Sequence, residues 1–163
     1  MKSLQAQWKM DSIIGPLFLV ASEQGLQCVL WKKQKVEMLS SLSEDSAPAR
    51  FLAQAVQELN EFLNGQRQSF TVALDIQGTE FQKRVWRELC KIPYGKTLSY
   101  KDVAAKVKTN GIRAVGTANG RNPLSIIVPC HRVIASNGTL GGYAGGLPIK
   151  TRLLELEKQI SAR

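Results

Sequence analysis

Short apolar runs separated by turn residues fill the first part of the chain: Ile13-Ile14, then Gly15-Pro16, an apolar stretch at 17–21, a polar break at 23–25, and a second stretch at 26–31. Runs of this length bounded by Gly, Pro and polar clusters predict a small antiparallel sheet. The period then changes. Ser46 and Pro48 open a helix in which Phe51, Leu52, Ala55, Val56, Leu59, Phe62 and Leu63 recur at i, i+3, i+4 spacing, and Asn64-Gly65 ends it. Residues 72–76 predict one more strand. Gly78 marks a boundary, dividing the chain into an N-terminal sheet-plus-helix domain (1–77) and a C-terminal domain (78–163).

Past that boundary the spacing is helical. Thr79 with Gln82 forms a capping-box pattern, and Phe81, Val85 and Leu89 make one stripe that Pro93-Tyr94-Gly95 ends. Ser99 with Asp102 starts another helix with Val103, Ala104 and Val107 inside. Thr109-Asn110-Gly111 is a tight connector, and residues 112–118 make a third helix stopped by Asn119-Gly120. The fold class is α/β, with a helix-turn-helix in the second half. Such a pair either reads DNA or only packs a core.

Composition narrows the choice. With 163 residues, 44% of them hydrophobic and 21% charged, the chain is a folded protein rather than a disordered one. At this size folding buries roughly 70% of the unfolded surface, so no staple is required. The longest apolar run, 13–21, is broken by Gly15-Pro16 and flanked by Asp11 and Ser22-Glu23, which argues against a signal peptide or a spanning helix. Three widely spaced cysteines and one histidine indicate a reducing, cytoplasmic setting, with no metal and no cofactor expected. Charge is asymmetric: residues 1–80 hold 7 Lys+Arg and 9 Asp+Glu, whereas 81–163 hold 15 and 4, a net of +11. The basic half faces a polyanion, with nucleic acid the first candidate.

The apolar run 124–128 leads into Pro129-Cys130-His131-Arg132-Val133, where the only histidine follows a cysteine. An imidazole and nearby Arg charges favour the thiolate, the attacking form of cysteine. The alternative for any one cysteine is a small buried hydrophobe. That alternative suits Cys28 and Cys90, which lie in apolar-patterned segments. Were the segment a strand, Cys130 and His131 would point to opposite faces, which disfavours a directly paired hydrolase dyad unless a turn intervenes.

The run Arg113-Ala114-Val115-Gly116, then Asn119-Gly120-Arg121-Asn122-Pro123, Pro129-Cys130-His131-Arg132-Val133 and Gly141-Gly142-Tyr143-Ala144-Gly145-Gly146-Leu147, resembles O6-alkylguanine-DNA alkyltransferases. The resemblance covers residues 79–158. It implies a ribonuclease H-like first domain, a winged-helix-like second domain, and irreversible transfer of an alkyl group from O6-alkylguanine in double-stranded DNA to Cys130, once per molecule. O4-alkylthymine is a second candidate substrate. By the same resemblance, His131 and Glu157 with a water withdraw the thiol proton, and Tyr100 protonates the leaving base. Arg113 fills the gap left by the flipped nucleotide. Ala114, Gly116, Thr117, Ala118 and Arg121 face DNA. Asn122 and Pro129 shape the active-site turn, while Tyr143, Ala144 and Gly145 form the pocket lid. The protein is expected to act as a monomer, with no membrane partner.

Two departures stand out. The connector Thr109-Asn110-Gly111-Ile112 is one residue shorter than in relatives, and Ala144 replaces a common Ser, leaving recognition there to backbone N–H groups. The competing readings are a non-catalytic damage-recognition relative, which lacks the cysteine; a helix-turn-helix regulator, which needs a dimerisation face; and a cysteine hydrolase, which turns over repeatedly. The repair reading requires the Cys130 sulfur to be accessible and ionised.

Overall fold

The computed structural model describes residues 4–163. The chain forms two compact units, one ending at Gln77 and the other beginning at Gly78. In the first, β1 (Gln5–Met10), β2 (Leu17–Ser22) and β3 (Leu26–Leu30) form an antiparallel sheet in chain order, with Trp8 opposite Leu19 and Val20 opposite Cys28. Ile13-Ile14 lies in the β1–β2 connection, where Gly15 takes φ +95°. Leu17, Leu19, Ala21, Leu26 and Val29 are wholly buried. Helix α1 (Ala47–Leu63) packs on this sheet, burying Leu52, Ala55, Leu59 and Phe62 completely. Its start is set by Ser46, whose hydroxyl accepts the Ala49 N–H, and its end by Asn64.

The strand expected at 72–76 does not form. The segment makes a one-residue parallel bridge: Leu26 N–H donates to the Ala73 carbonyl and Asp75 N–H to the Leu26 carbonyl, both at 2.9 Å. Pairing stops there because the Asp75 carboxylate accepts from the Ser22 hydroxyl (2.6 Å) and the Gln27 amide (2.8 Å). Gly25 permits the approach, since a Cβ there would lie 2.6 Å from the Ala73 oxygen.

The second unit contains α2 (Glu80–Leu89), β4 (Leu98–Ser99), α3 (Tyr100–Lys106), α4 (Ile112–Gly120), β5 (Val133–Ile134) and α5 (Leu147–Ser161), with β4 and β5 a short parallel pair. Both capping boxes form, Thr79 with Gln82 and Ser99 with Asp102. Trp86 of α2 is buried, and its indole N–H donates to the Ala118 carbonyl at 2.9 Å, joining α2 to α4. Gly78 makes room for that ring, because a Cβ there would approach it to 2.6 Å. The short connector between α3 and α4 is accommodated by Lys108 at φ +59°, with Arg84 donating to the Val107 carbonyl and Thr109 Oγ1 accepting the Gly111 N–H. Helix α4 runs two residues past the expected stop, to Gly120, before Arg121 caps it.

One buried acid interrupts the apolar stripe of α1. Glu58 is 3% exposed and accepts from Thr71 N–H (2.8 Å), Thr71 hydroxyl (2.6 Å), Val72 N–H (3.1 Å) and Gln54 (2.9 Å). Glu58→Ala strands these donors, so it is expected to cost about 3 kcal/mol of stability, checked as a lowered urea midpoint by circular dichroism.

Candidate active site

The turn that carries Cys130 is built by Asn122. Its amide donates to the Val128 carbonyl (2.8 Å) and its Oδ1 accepts the Leu124 N–H (2.9 Å), so one side chain clamps both ends of residues 124–128. Within the clamp Val128 N–H reaches the Leu124 carbonyl and Ile127 N–H the Ser125 carbonyl, each at 2.9 Å. Ile126, 1% exposed, takes φ +75°, a conformation β-branched residues rarely adopt. Pro129 then leads into a 3-10 turn, Cys130–Arg132, which runs directly into β5. At three residues per turn, successive side chains leave this element about 120° apart. His131 and Arg132 both reach α5.

Their common partner there is Glu157, 1% exposed. It accepts from His131 Nε2 (2.5 Å), Arg132 Nε (2.8 Å), Arg132 Nη2 (3.0 Å) and the backbone N–H of Gly95 (3.0 Å), a glycine held at φ +79°. Arg132 also donates to the Ile92 carbonyl (2.8 Å), and its guanidinium lies 5.5 Å from the Tyr94 ring centre. Burial pushes the Glu157 carboxyl upward, but hydrogen bonds and charge from His131 and Arg132 outweigh it and hold the group at about 2. His131 is wholly buried; burial lowers its pKa, as do the charges of Arg132 and Lys150, while Glu157 opposes. The imidazole is accordingly neutral, donating from Nε2 to Glu157, with Nδ1 left as the acceptor. Nδ1 is buried and has no hydrogen-bond partner among the described residues.

Cys130 itself departs from expectation. Its side chain is buried, at 3% exposure, and its thiol is pushed up to about 11 by burial, against smaller lowering effects of the Asn122 amide and the Lys150 charge. The imidazole does not bond the sulfur, so the pull toward thiolate expected from the adjacent histidine is outweighed by desolvation. Two tyrosine hydroxyls lie close enough to the thiol to feel its charge. Tyr100, first residue of α3, has its hydroxyl pKa raised by burial and then by Cys130. Tyr143, in the loop before α5, is raised further by burial, then by Cys130 and Glu157. Ala144 is exposed and Gly145 half-buried in the same loop.

On α4, Arg113, Ala114 and Thr117 are exposed and line a cleft of about 490 Å³ together with Thr79, Phe81 and Gln82. Gly116 lies over the Tyr100 ring, where a Cβ would be 3.9 Å from it. Ala118 lines the floor of the same cleft: it is 2% exposed, and its carbonyl accepts from the Trp86 indole. Arg121, just past the helix, is exposed. Cys90, expected to be buried, caps α2 and is exposed, and Cys28 is half-buried. The residues that sequence reasoning missed are Lys150 and Asn119. Lys150 is fully buried on α5, and no local motif marks it in the sequence. Asn119, taken as a helix stop, is buried inside α4, with its amide 3.5 Å from the Cys130 carbonyl. Among the described residues no group of His, Cys, Asp and Glu side chains could hold a metal ion, and no helix is long and apolar enough to cross a membrane.

Comparison with known proteins gives the same two halves. Residues 8–76 match the 6-O-methylguanine DNA methyltransferase ribonuclease-like domain, and residues 80–159 match the DNA binding domain of the same family. A methylated-DNA–protein-cysteine methyltransferase of Methanosarcina barkeri is 45% identical over 151 residues, covering 91% of this chain and 94% of the relative. The chain belongs to the 6-O-methylguanine DNA methyltransferase family. Among solved structures, the Mycobacterium tuberculosis O6-methylguanine methyltransferase superposes with a TM-score of 0.83 at 41% identity, covering 96% of this chain and 94% of that one. The same protein crystallised with DNA gives 0.81 at 42%, covering 95% and 94%. Within the methyltransferase family's DNA binding domain lie both the Cys130 turn and the exposed face of α4.

The buried Glu157–His131 pair dictates how this methyltransferase-family fold responds to acid. Both groups bind protons less readily folded than unfolded, so the stability they contribute is complete above the ordinary histidine pKa. It declines as pH falls, first through His131 and then between the ordinary carboxyl range and about 2, where Glu157 alone accounts for about 3 kcal/mol. Glu157→Gln is expected to flatten the acid limb below about pH 5, measured by thermal unfolding as a function of pH.

Proposed function

We propose that this protein repairs double-stranded DNA by transferring the alkyl group of O6-alkylguanine to Cys130. The observation that supports this reading is a neutral His131 whose Nε2 is held by Glu157 on the same turn that carries Cys130, with the Tyr100 hydroxyl near enough to the thiol to feel its charge. The thiol proton moves through a water molecule to the free Nδ1 of His131, and the Glu157 carboxylate stabilises the imidazolium that results. The thiolate then attacks the alkyl carbon. The S–C bond forms as the C–O6 bond breaks, and the electron pair leaves on guanine. Tyr100, kept protonated by its surroundings, donates to the guanine ring and is reprotonated from the His131 side. The net change is thiol plus O6-alkylguanine to thioether plus guanine.

The product thioether carbon could be released only by expelling a thiolate from an unactivated saturated carbon, so the reaction runs once per molecule. The buried sulfur requires the base to leave the stack and enter the pocket. Arg113, exposed at the start of α4, takes the space so vacated. Ala114 and Thr117 offer a small-residue face to the minor groove, and Arg121 contacts phosphate. Asn122 and Pro129 hold the reactive turn; Tyr143, Ala144 and Gly145 cover the base. The unit from Gly78 onward carries DNA contact and transfer together, working as a monomer. O4-alkylthymine fits the same chemistry as a second substrate.

Incubation with a duplex bearing O6-methylguanine is expected to add one methylene mass, ~14 Da, at Cys130, stopping at one per molecule and absent in Cys130→Ser. Repeated turnover, or no mass change in the wild type, rejects the reading. Tyr100→Phe is expected to slow single-turnover transfer about a hundredfold while leaving duplex affinity unchanged, read by rapid quench and by fluorescence anisotropy.

A further inference from the structure

Lys150 takes no part in the proton path, yet among the described residues it is the most completely buried cation, at 0% exposure. Its ammonium donates to three backbone carbonyls: Val133 at 2.7 Å, Gly142 at 3.2 Å, and Leu140. That uses all three donors of the group. Among the described residues no carboxylate pairs with it. A buried charge without a counter-ion is costly, and an apolar side chain of the same length avoids that cost. What a lysine alone supplies is one point joined to three separate pieces of backbone.

Those pieces are informative. Val133 is the first residue after the Cys130–Arg132 turn. Leu140 and Gly142 belong to the loop 138–146, whose own backbone bonds are local: Gly138 N–H to Ala135, Ala135 N–H to Thr139, and Gly146 N–H to Tyr143. Gly138, Gly141 and Gly146 all have positive φ, so the loop has little intrinsic preference for its observed path. Between its ends, both carbonyls that bond to a side chain outside the loop end on Lys150. The loop also lies against the reaction centre. A Cβ on Gly141 would come within 2.9 Å of the Tyr100 hydroxyl, and Tyr143 is close enough to feel the charges of Cys130 and Glu157.

We propose that Lys150 is a positioning residue whose ammonium straps the 138–146 loop to the strand leaving the Cys130 turn, holding the lid of the alkylguanine pocket in its closed, reactive arrangement. This rests on the proposed alkyl transfer for its consequence, though not for its geometry. Cys130 is 3% exposed with the loop in this arrangement, and on this reading base entry lifts the loop. Closure then depends on re-forming the carbonyl contacts around one cation.

The test uses the full chain and two readouts. In Lys150→Met, hydrogen exchange of the loop amides 140–145 is expected to speed up about tenfold or more, with α3 and the body of α5 unchanged. Single-turnover methylation of Cys130 by O6-methylguanine duplex is expected to fall about tenfold in maximum rate, with affinity for undamaged duplex unaltered. Lys150→Arg keeps the charge, but its planar fork does not converge on three carbonyls, and it is expected to show the same changes at smaller size. If the Met variant does not fold, the Arg variant decides by the same two measurements. Wild-type exchange in the loop of the variant, or acceleration spread evenly over α5 and the Cys130 turn, overturns the strap. Failure of the wild type to accept the methyl group would instead reject the repair reading, leaving the exchange arm to decide the strap on its own.

Discussion

The carboxylate of Glu157 is the point on which the second unit depends. Four donors from three residues converge on it: the imidazole and guanidinium of the Cys130–Arg132 turn, and the Gly95 amide from the connection after α2. A buried carboxylate is tolerated only when its lone pairs are satisfied, so each donor is required by the others. The same charge sets the chemistry. Holding the Nε2 proton of a neutral His131 leaves Nδ1 as a base, and losing the carboxylate would leave both a buried guanidinium and an imidazole without their partner.

Around that anchor the site leaves the thiol buried and protonated. The Asn122 clamp sustains Ile126 in a left-handed conformation that costs about 1–3 kcal/mol, and this turn delivers Cys130 to its position. Burial keeps the sulfur protonated and therefore poorly nucleophilic and slow to oxidise. Reactivity at Cys130 belongs to the assembled site rather than to the residue.

Charge in the second half is divided by burial into two tasks. Arg113 and Arg121 are exposed at either end of α4, available to a polyanion. Arg132 and Lys150 are buried and spend their donors inside the protein, one on a carboxylate and the other on carbonyls. The net of +11 read from the sequence thus overstates the charge offered to DNA, because composition does not distinguish the two sets.

Local pattern was sufficient for most of the architecture. The Thr79 and Ser99 capping boxes, the Ser46 cap and the apolar stripe of α1 act within a turn or two of chain, so spacing alone located those helices. The Cys130-His131 adjacency drew notice for the same reason, and Glu157 entered only through resemblance. The segment at 72–76 was misjudged because its pairing is decided by Gly25 and by Asp75 bonding to Ser22 and Gln27, all far away in sequence. The state of the thiol and the burial of Lys150 and Asn119 are likewise long-range outcomes. By itself the sequence determined where helices begin, where charge accumulates and which residue types stand together. Only the tertiary structure decided which of those groups lose water, and desolvation, being the sum of every neighbour packed around an atom, is a quantity no local spacing contains.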